Sequence, residues 1–199
     1  MLKDTADINR AAALSEVPPR LIVANLLVEQ LRLFYSDRTV FEQVFAPLQI
    51  LGDQSQFSWG VMGIKETTAE EIENNLENPS SAFYPGAQYE HLLDFTTSDT
   101  GSERFARLTS DASRFYSYLY AGIYLQEIMT QWKNAGYDIS NRPDILSTLF
   151  NIGFAHSTPN ATPHVGGAEI DIGGAAYSFG GLAGEFYNSN ELLTQFPRI

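Results

Sequence analysis

The chain has 199 residues, of which 44% are hydrophobic and 13% aromatic, enough for one folded domain with a substantial core. Its 24 acidic and 12 basic residues give a formal net charge of −12, which argues against binding to nucleic acid through its phosphates. Cysteine is absent, so disulfides, thiolate metal sites and cysteine nucleophiles are excluded. No apolar run reaches the roughly 20 residues of a membrane span, and residues 1–10 lack the pattern of a signal peptide.

The first predicted helix follows Pro18 and Pro19 and covers residues 21–34. Proline is tolerated at a helix entrance because the first N–H groups have no partner within the helix. Apolar residues occupy almost every face of this segment, which is typical of a helix at the centre of a core. Glu29 within it must therefore lie near a helix end, face a cleft or be buried at a cost. Residues 1–17 are predicted to form an N-terminal extension.

The next quarter of the chain is predicted to alternate helices with irregular segments. A helix is expected over residues 39–51, and the Ser-, Gln- and Gly-rich stretch 53–63 favours a loop or short irregular β segment. Another helix is expected to start at Thr67, whose hydroxyl suits an N-cap. Residues 79–100 show no sustained period and indicate a long loop.

The second half is predicted to contain the longest helix, over residues 104–136, where apolar residues recur every three or four positions. A short helix is expected over 144–150, and a last helix over 182–196. The intervening residues 154–181 are predicted as a Gly-rich loop region. Together these elements predict a single, mainly α domain spanning residues 1–199.

Glu29 is the candidate catalytic acid. Cleavage of a glycosidic bond requires a carboxylic acid that is still protonated when substrate arrives, and apolar surroundings disfavour the charged form. Leu26, Leu27 and Leu31 give Glu29 such surroundings in sequence. The alternative is that Glu29 sits on an exposed stripe of the helix and pairs with Arg32 or Asn25.

Three segments in order resemble the motif series of the lytic transglycosylase and goose-type lysozyme group. They are the helix with Glu29, the run Gly60-Val61-Met62-Gly63-Ile64 that leads to Thr68-Ala69, and Phe150-Asn151-Ile152-Gly153. The resemblance implies a lysozyme-like α-helical domain with a short irregular β or loop segment beside the cleft. It also implies cleavage of the β-1,4 bond between N-acetylmuramic acid and N-acetylglucosamine in peptidoglycan. The stretches 29–32 and 139–153 further resemble an uncharacterised bacterial group of this superfamily.

The resemblance also implies roles for particular residues. Glu29 would be the general acid and base, and Tyr124, in a Gly-x-Tyr-Leu helix, would pack behind the site. Three positions depart from the family pattern: Gly63 replaces a usual Gln, Glu66 a common Pro, and Phe150 a usual Tyr. The changes at Gly63 and Phe150 remove polar groups near the acid. The implied substrate-binding residues are Gly60, Met62, Gly63, Ile64, Phe150 and Asn151.

The type of cleavage depends on whether a second acid is present. A two-carboxylate glycosidase needs one at about 5 to 10 Å from the first. Asp37, Asp53 and Glu66 are the candidates, and each is better explained as a loop residue or helix cap. Lytic transglycosylases need one Glu, since a hydroxyl of the sugar closes an anhydro ring, so this chemistry is favoured.

Two other functions stay open: a hydrolytic lysozyme- or chitinase-type glycosidase, and a glycan- or partner-binding module without turnover. The expected partner is peptidoglycan or a related aminosugar polymer, without cofactor or metal, in the cell envelope, the periplasm or outside the cell. The spacing of His156, His164, Glu169 and Asp171 matches no metal motif and indicates turns and caps.

Overall fold

The computed structural model describes residues 2–35 and 58–198, and its mainly helical architecture confirms the predicted fold class at that level. Two small antiparallel sheets of two strands each accompany the described helices, none of which is long and apolar enough to cross a bilayer. The helix predicted over 39–51 lies outside the described residues. The helices are α1 (Thr5–Ser15), α2 (Pro19–Tyr35), α3 (Glu66–Glu77), α4 (Thr100–Thr109), α5 (Phe115–Asn134), α6 (Pro143–Ile152) and α7 (Phe179–Asn188). The strands are β1 (Ser58–Trp59), β2 (Ile64–Lys65), β3 (Glu169–Ile172) and β4 (Ala175–Ser178).

Helix α2 lies at the centre of the core, as its apolar pattern predicts. Residues 21–24 are at most 2% exposed. The helix begins at Pro19, where the missing N–H has no helical partner to lose. Helices α1, α6 and α7 and strand β3 pack around it. This enclosure fixes the orientation of the residues near its C-terminal end, including Glu29.

Helix α1 is part of the core, although residues 1–17 were predicted as an extension. Its Ile8 and Ala11 are fully buried, and the helix packs along α5. Gly122 of α5 permits the close approach, because a Cβ atom there would lie 2.3 Å from the Ser15 hydroxyl oxygen. The N-terminal segment therefore belongs to the folded domain.

The predicted helix over 104–136 is in fact two helices, α4 and α5, separated by residues 110–114. The Ser110 hydroxyl accepts a hydrogen bond from the Ser113 N–H at 3.3 Å. This bond takes the place of a backbone hydrogen bond that a continuous helix would form. The Ser117 hydroxyl then donates to the Leu108 carbonyl at 2.8 Å and holds the two helices together. The apolar period continues across the break because both helices face the same core.

Residues 78–99 form the predicted long loop, with no helix or strand among them. Glu103 of α4 holds this loop, because its carboxylate accepts hydrogen bonds from the backbone and hydroxyl groups of Thr96 and Thr97. Arg107 pairs with Glu103 and donates to two further carbonyls of the loop. The loop is thus held by two charged groups of α4, Glu103 in its first turn and Arg107 in its last.

The Gly-rich region contains the hairpin of β3 and β4, which the sequence did not predict. Gly173 and Gly174 have φ of +64° and +87°, the left-handed values that a tight hairpin turn requires. The Asp171 carboxylate accepts a hydrogen bond from the Gly174 N–H at 2.9 Å, in agreement with the interpretation of this acid as a cap. Helix α7 follows with Ser178 as its N-cap and ends at Asn188, well before the predicted residue 196.

Arg20, in the first turn of α2, fastens the C-terminal segment to the core. Its side chain is fully buried and its guanidinium stacks on the Phe186 ring, 4.6 Å from the ring centroid. No acid pairs with it among its described contacts; carbonyl groups at the end of α7 and beyond accept its hydrogen bonds. The acceptors are the carbonyls of Phe186, Tyr187, Ser189, Glu191 and Phe196, at 2.8 to 3.0 Å.

Candidate active site

Glu29 lies near the C-terminal end of α2 and is 3% exposed. Arg32, one turn further along, binds both carboxylate oxygens. Its Nη2 donates to Oε1 at 2.6 Å and its Nε donates to Oε2 at 3.0 Å. This hydrogen bonding raises the pKa of Arg32, although partial burial opposes the increase. The structure combines features of both sequence-based interpretations of Glu29, because the acid is buried and also pairs with Arg32. Asn25 does not pair with it and donates to the Leu21 carbonyl instead.

The turn between β1 and β2 packs directly on the Glu29 carboxylate. Gly63 has a φ of +63°, and a Cβ atom on it would lie 2.1 Å from Glu29 Oε1. No side chain fits there, so this packing requires glycine at position 63. Gly63 is also one of the positions that differ from the motif this segment resembles. Gln30 donates from Nε2 to the Val61 carbonyl at 2.8 Å and ties the helix to the same turn.

Gly60, at the other side of the turn, meets α4 rather than the acid. Its φ is +64°, and a Cβ atom would lie 2.1 Å from the Leu108 carbonyl oxygen. Met62 and Ile64 point into the core, at 1% and 3% exposed. Their assignment as substrate-binding residues stays a prediction, in which Met62 and the backbone of residues 60–64 line the cleft. The backbone of the turn is what faces Glu29.

Phe150 and Asn151 contact residues other than Glu29. The Phe150 ring is 8% exposed and packs on the buried Tyr124 with 5.1 Å between ring centroids. Asn151 accepts a hydrogen bond through Oδ1 from the Ala168 N–H at 2.7 Å. Within the described residues, the hydrogen bonds and ring contacts of both side chains go to these partners and not to Glu29.

Of the three candidate second acids, Glu66 is the one that lies within the described residues. Asp37 and Asp53 lie outside the described residues, and Glu66 is the first residue of α3, partly exposed. It borders a small pocket with Trp59 and Phe105. The described chain, residues 2–35 and 58–198, contains no cluster of three or more His, Asp or Glu residues that could hold a metal ion.

An open cavity of about 260 Å³ lies beside the helix end that bears Glu29. Gln30, Gly60 and Val61 form one wall, and residues 108–111 of α4 and its following turn form the other. Arg114 lines it as well, but this guanidinium is engaged by Asp4 and Asp111. Gln30, the neighbour of the acid, contributes to the lining, whereas Glu29 itself is not among the lining residues.

Sequence reasoning missed a second buried acid, Glu127 of α5. It is fully buried, and its carboxyl oxygens have no hydrogen-bond partner within the described chain. Burial raises its pKa well above the ordinary value, and the nearby Asn75 amide opposes this only in part. The signal was available, since Glu127 interrupts an apolar helix in the same way as Glu29.

Comparison with known proteins gives no assignment: no family model, no curated protein and no solved structure matches the chain. The site geometry and the motif resemblance are consequently the basis for any functional proposal.

Proposed function

We propose that this chain is a lysozyme-like domain that cleaves peptidoglycan glycan strands by lytic transglycosylase chemistry, with Glu29 as the single general acid and base. The observation that supports the proposal is the packing of Gly63 on the Glu29 carboxylate. These residues belong to two different motifs of the resemblance and are 34 positions apart. Their contact is the arrangement that the motif order implies for an acid at a cleft wall.

In this proposal Glu29, once protonated, gives its proton to the glycosidic oxygen as the bond to the anomeric carbon breaks. The resulting carboxylate then accepts the proton of the sugar's own hydroxyl, which attacks the same carbon and closes an anhydro ring. Glu29 ends protonated, so the proton balance closes without a second acid. The backbone of residues 60–64 forms the wall beside the acid, and Phe150 and Asn151 contribute to binding of the sugar, as the motif resemblance implies. The site would work in the cell envelope or outside the cell, without a cofactor.

Digestion of purified peptidoglycan by the wild type, Glu29→Gln and Glu77→Gln tests the proposal, with mass spectrometry of the soluble products. Glu77 is an exposed helical acid and serves as the matched control. Anhydro-ended fragments from the wild type and Glu77→Gln, and none from Glu29→Gln, are expected. Products with free reducing ends would indicate hydrolysis instead, and equal activity in all three proteins would remove Glu29 as the catalyst.

The Arg32 pair favours one second candidate, a glycan-binding module without turnover. A guanidinium bound to both oxygens stabilises the carboxylate form, which cannot donate a proton. A binder would retain peptidoglycan in a pelleting assay, release no fragments, and bind equally well after Glu29→Gln.

A further inference from the structure

The Arg32 guanidinium occupies the two oxygen atoms that acid catalysis needs. Both Glu29 oxygens accept a hydrogen bond from it, at 2.6 and 3.0 Å. A general acid must instead bear a proton and direct it at the leaving oxygen of the substrate. The observed pair is thus a resting arrangement, and an active enzyme has to separate it.

Arg32 is the partner that is free to move. Its side chain is 30% exposed, whereas that of Glu29 is 5% exposed. Glu29 is also confined by Gly63, which leaves no space between its backbone and the carboxylate. Because both residues lie on one helix, Arg32 leaves by a change of side-chain rotamer, and no backbone movement is required.

A carboxylate on the ligand is the group best suited to draw Arg32 away. The planar guanidinium binds carboxylates through two parallel hydrogen bonds, so a second carboxylate replaces both bonds that Arg32 gives up. A neutral sugar hydroxyl offers no such exchange. Once the guanidinium has left, both Glu29 oxygens are free to hold the catalytic proton and to face the substrate.

We propose that Arg32 holds Glu29 inactive until a carboxylate-bearing glycan takes the guanidinium, so that the site favours muramic strands with free lactyl carboxylates over strands in which these groups are amides. This inference rests on the proposed function and assigns Arg32 as a positioning and specificity-determining residue. Exchange of charge-assisted hydrogen bonds is equivalent to about tenfold or more in an equilibrium constant. Wild-type enzyme is therefore expected to prefer carboxylate-bearing strands by about tenfold, because these strands can replace the two bonds that Arg32 gives up.

The test uses peptidoglycan strands stripped of their peptides by an amidase, which leaves free lactyl carboxylates, and the same strands with these groups converted to methylamides. Initial rates are measured for the wild type, Arg32→Gln and Arg142→Gln. Arg142 pairs with Asp144 through two bonds of 3.0 Å at an exposed position, so it controls for loss of a surface arginine pair. The ratio of the two rates does not depend on the folded fraction of a variant.

Arg32→Gln is expected to abolish the preference and to cleave the amidated strands at least as fast as the wild type does. A preference retained in Arg32→Gln, or absent from the wild type, overturns the Arg32 assignment while Glu29-dependent cleavage upholds the proposed function. No cleavage of either substrate by the wild type overturns both.

Discussion

Substitution of Gly63 by alanine tests the contact on which the candidate site depends. The new methyl group would meet Glu29 Oε1 at 2.1 Å, so the carboxylate has to turn away from Arg32. Two costs add. A non-glycine residue at left-handed φ loses about 1 kcal/mol or slightly more, and loss of charge-assisted hydrogen bonds costs a further 1.5–3 kcal/mol or so. The expected decrease in the free energy of unfolding is about 3 kcal/mol.

Gly173→Ala is the matched control. Gly173 has a φ of +64°, almost equal to the +63° of Gly63, but a Cβ atom there meets no atom within 4 Å. It should therefore lose only the backbone part, about 1 kcal/mol. Urea denaturation followed by circular dichroism measures both variants.

A double-mutant cycle with Glu29→Ala isolates the clash. Without the carboxylate, Gly63→Ala should cost no more than the control, which gives a coupling energy of about 2 kcal/mol. Equal costs for Gly63→Ala and Gly173→Ala in the wild-type background, within about 0.5 kcal/mol, would refute the packing of the turn on the acid.

Three further predictions concern the charged groups of the core. Arg20→Met should lower the free energy of unfolding by about 3 kcal/mol or more in urea denaturation, because several carbonyls lose a charged donor. Arg198→Met should lower it much less, because Arg198 donates to the same segment from an exposed position. Glu103 is partly desolvated, but hydrogen bonds from the loop outweigh this and lower its pKa to about 2. Its stabilising contribution is thus present above the ordinary pKa of Glu and lost as the pH falls towards 2, so Glu103→Gln should flatten that part of an acid-denaturation curve. Burial raises the pKa of Glu127, so this residue lowers the stability of the fold once the pH rises above the ordinary pKa of a glutamate. Glu127→Gln should therefore be more stable than the wild type at pH 8, but not at pH 4, in thermal melts.

Each of these expectations has a contradicting result. Equal losses in Arg20→Met and Arg198→Met would show that the buried guanidinium is not the principal fastening. An unchanged acid limb in Glu103→Gln would mean that the loop does not hold this acid in its ionised form. A Glu127→Gln variant that is less stable at both pH values would indicate that the wild-type acid has a partner that an amide cannot replace.

The sequence predicted the elements whose signals are local. The apolar helix behind Pro19 and the helix behind Pro143 are found where the proline and the apolar period place them. The predictions from sequence fail where tertiary contacts determine the local structure. The apolar period across residues 110–114 hid a break made by serine hydroxyl groups, and the hairpin at Gly173 follows from backbone conformation rather than from strand-forming side chains.

The candidate site was only partly predictable for the same reason. Glu29 and its neighbour Arg32 could be paired from a spacing of three residues on one helix. The position of Gly63 against the acid could not, because it depends on a turn brought in from 34 residues away. Met62 and Ile64 were assigned to the cleft wall from motif position alone, and the direction of their side chains depends on the left-handed backbone of the glycines on either side.

The hydrogen bonds from Arg20 to the C-terminal segment also affect the order in which the chain folds during synthesis. The residue emerges early, but one of its acceptors, the Phe196 carbonyl, lies 176 positions later. Until that segment leaves the ribosome, a guanidinium destined for the core has to stay hydrated, and the first turn of α2 cannot close over it. Assembly around the helix that bears the acid therefore finishes only after residue 196 has been synthesised, and a nascent chain stalled before residue 186 would present an incomplete core to chaperones and proteases.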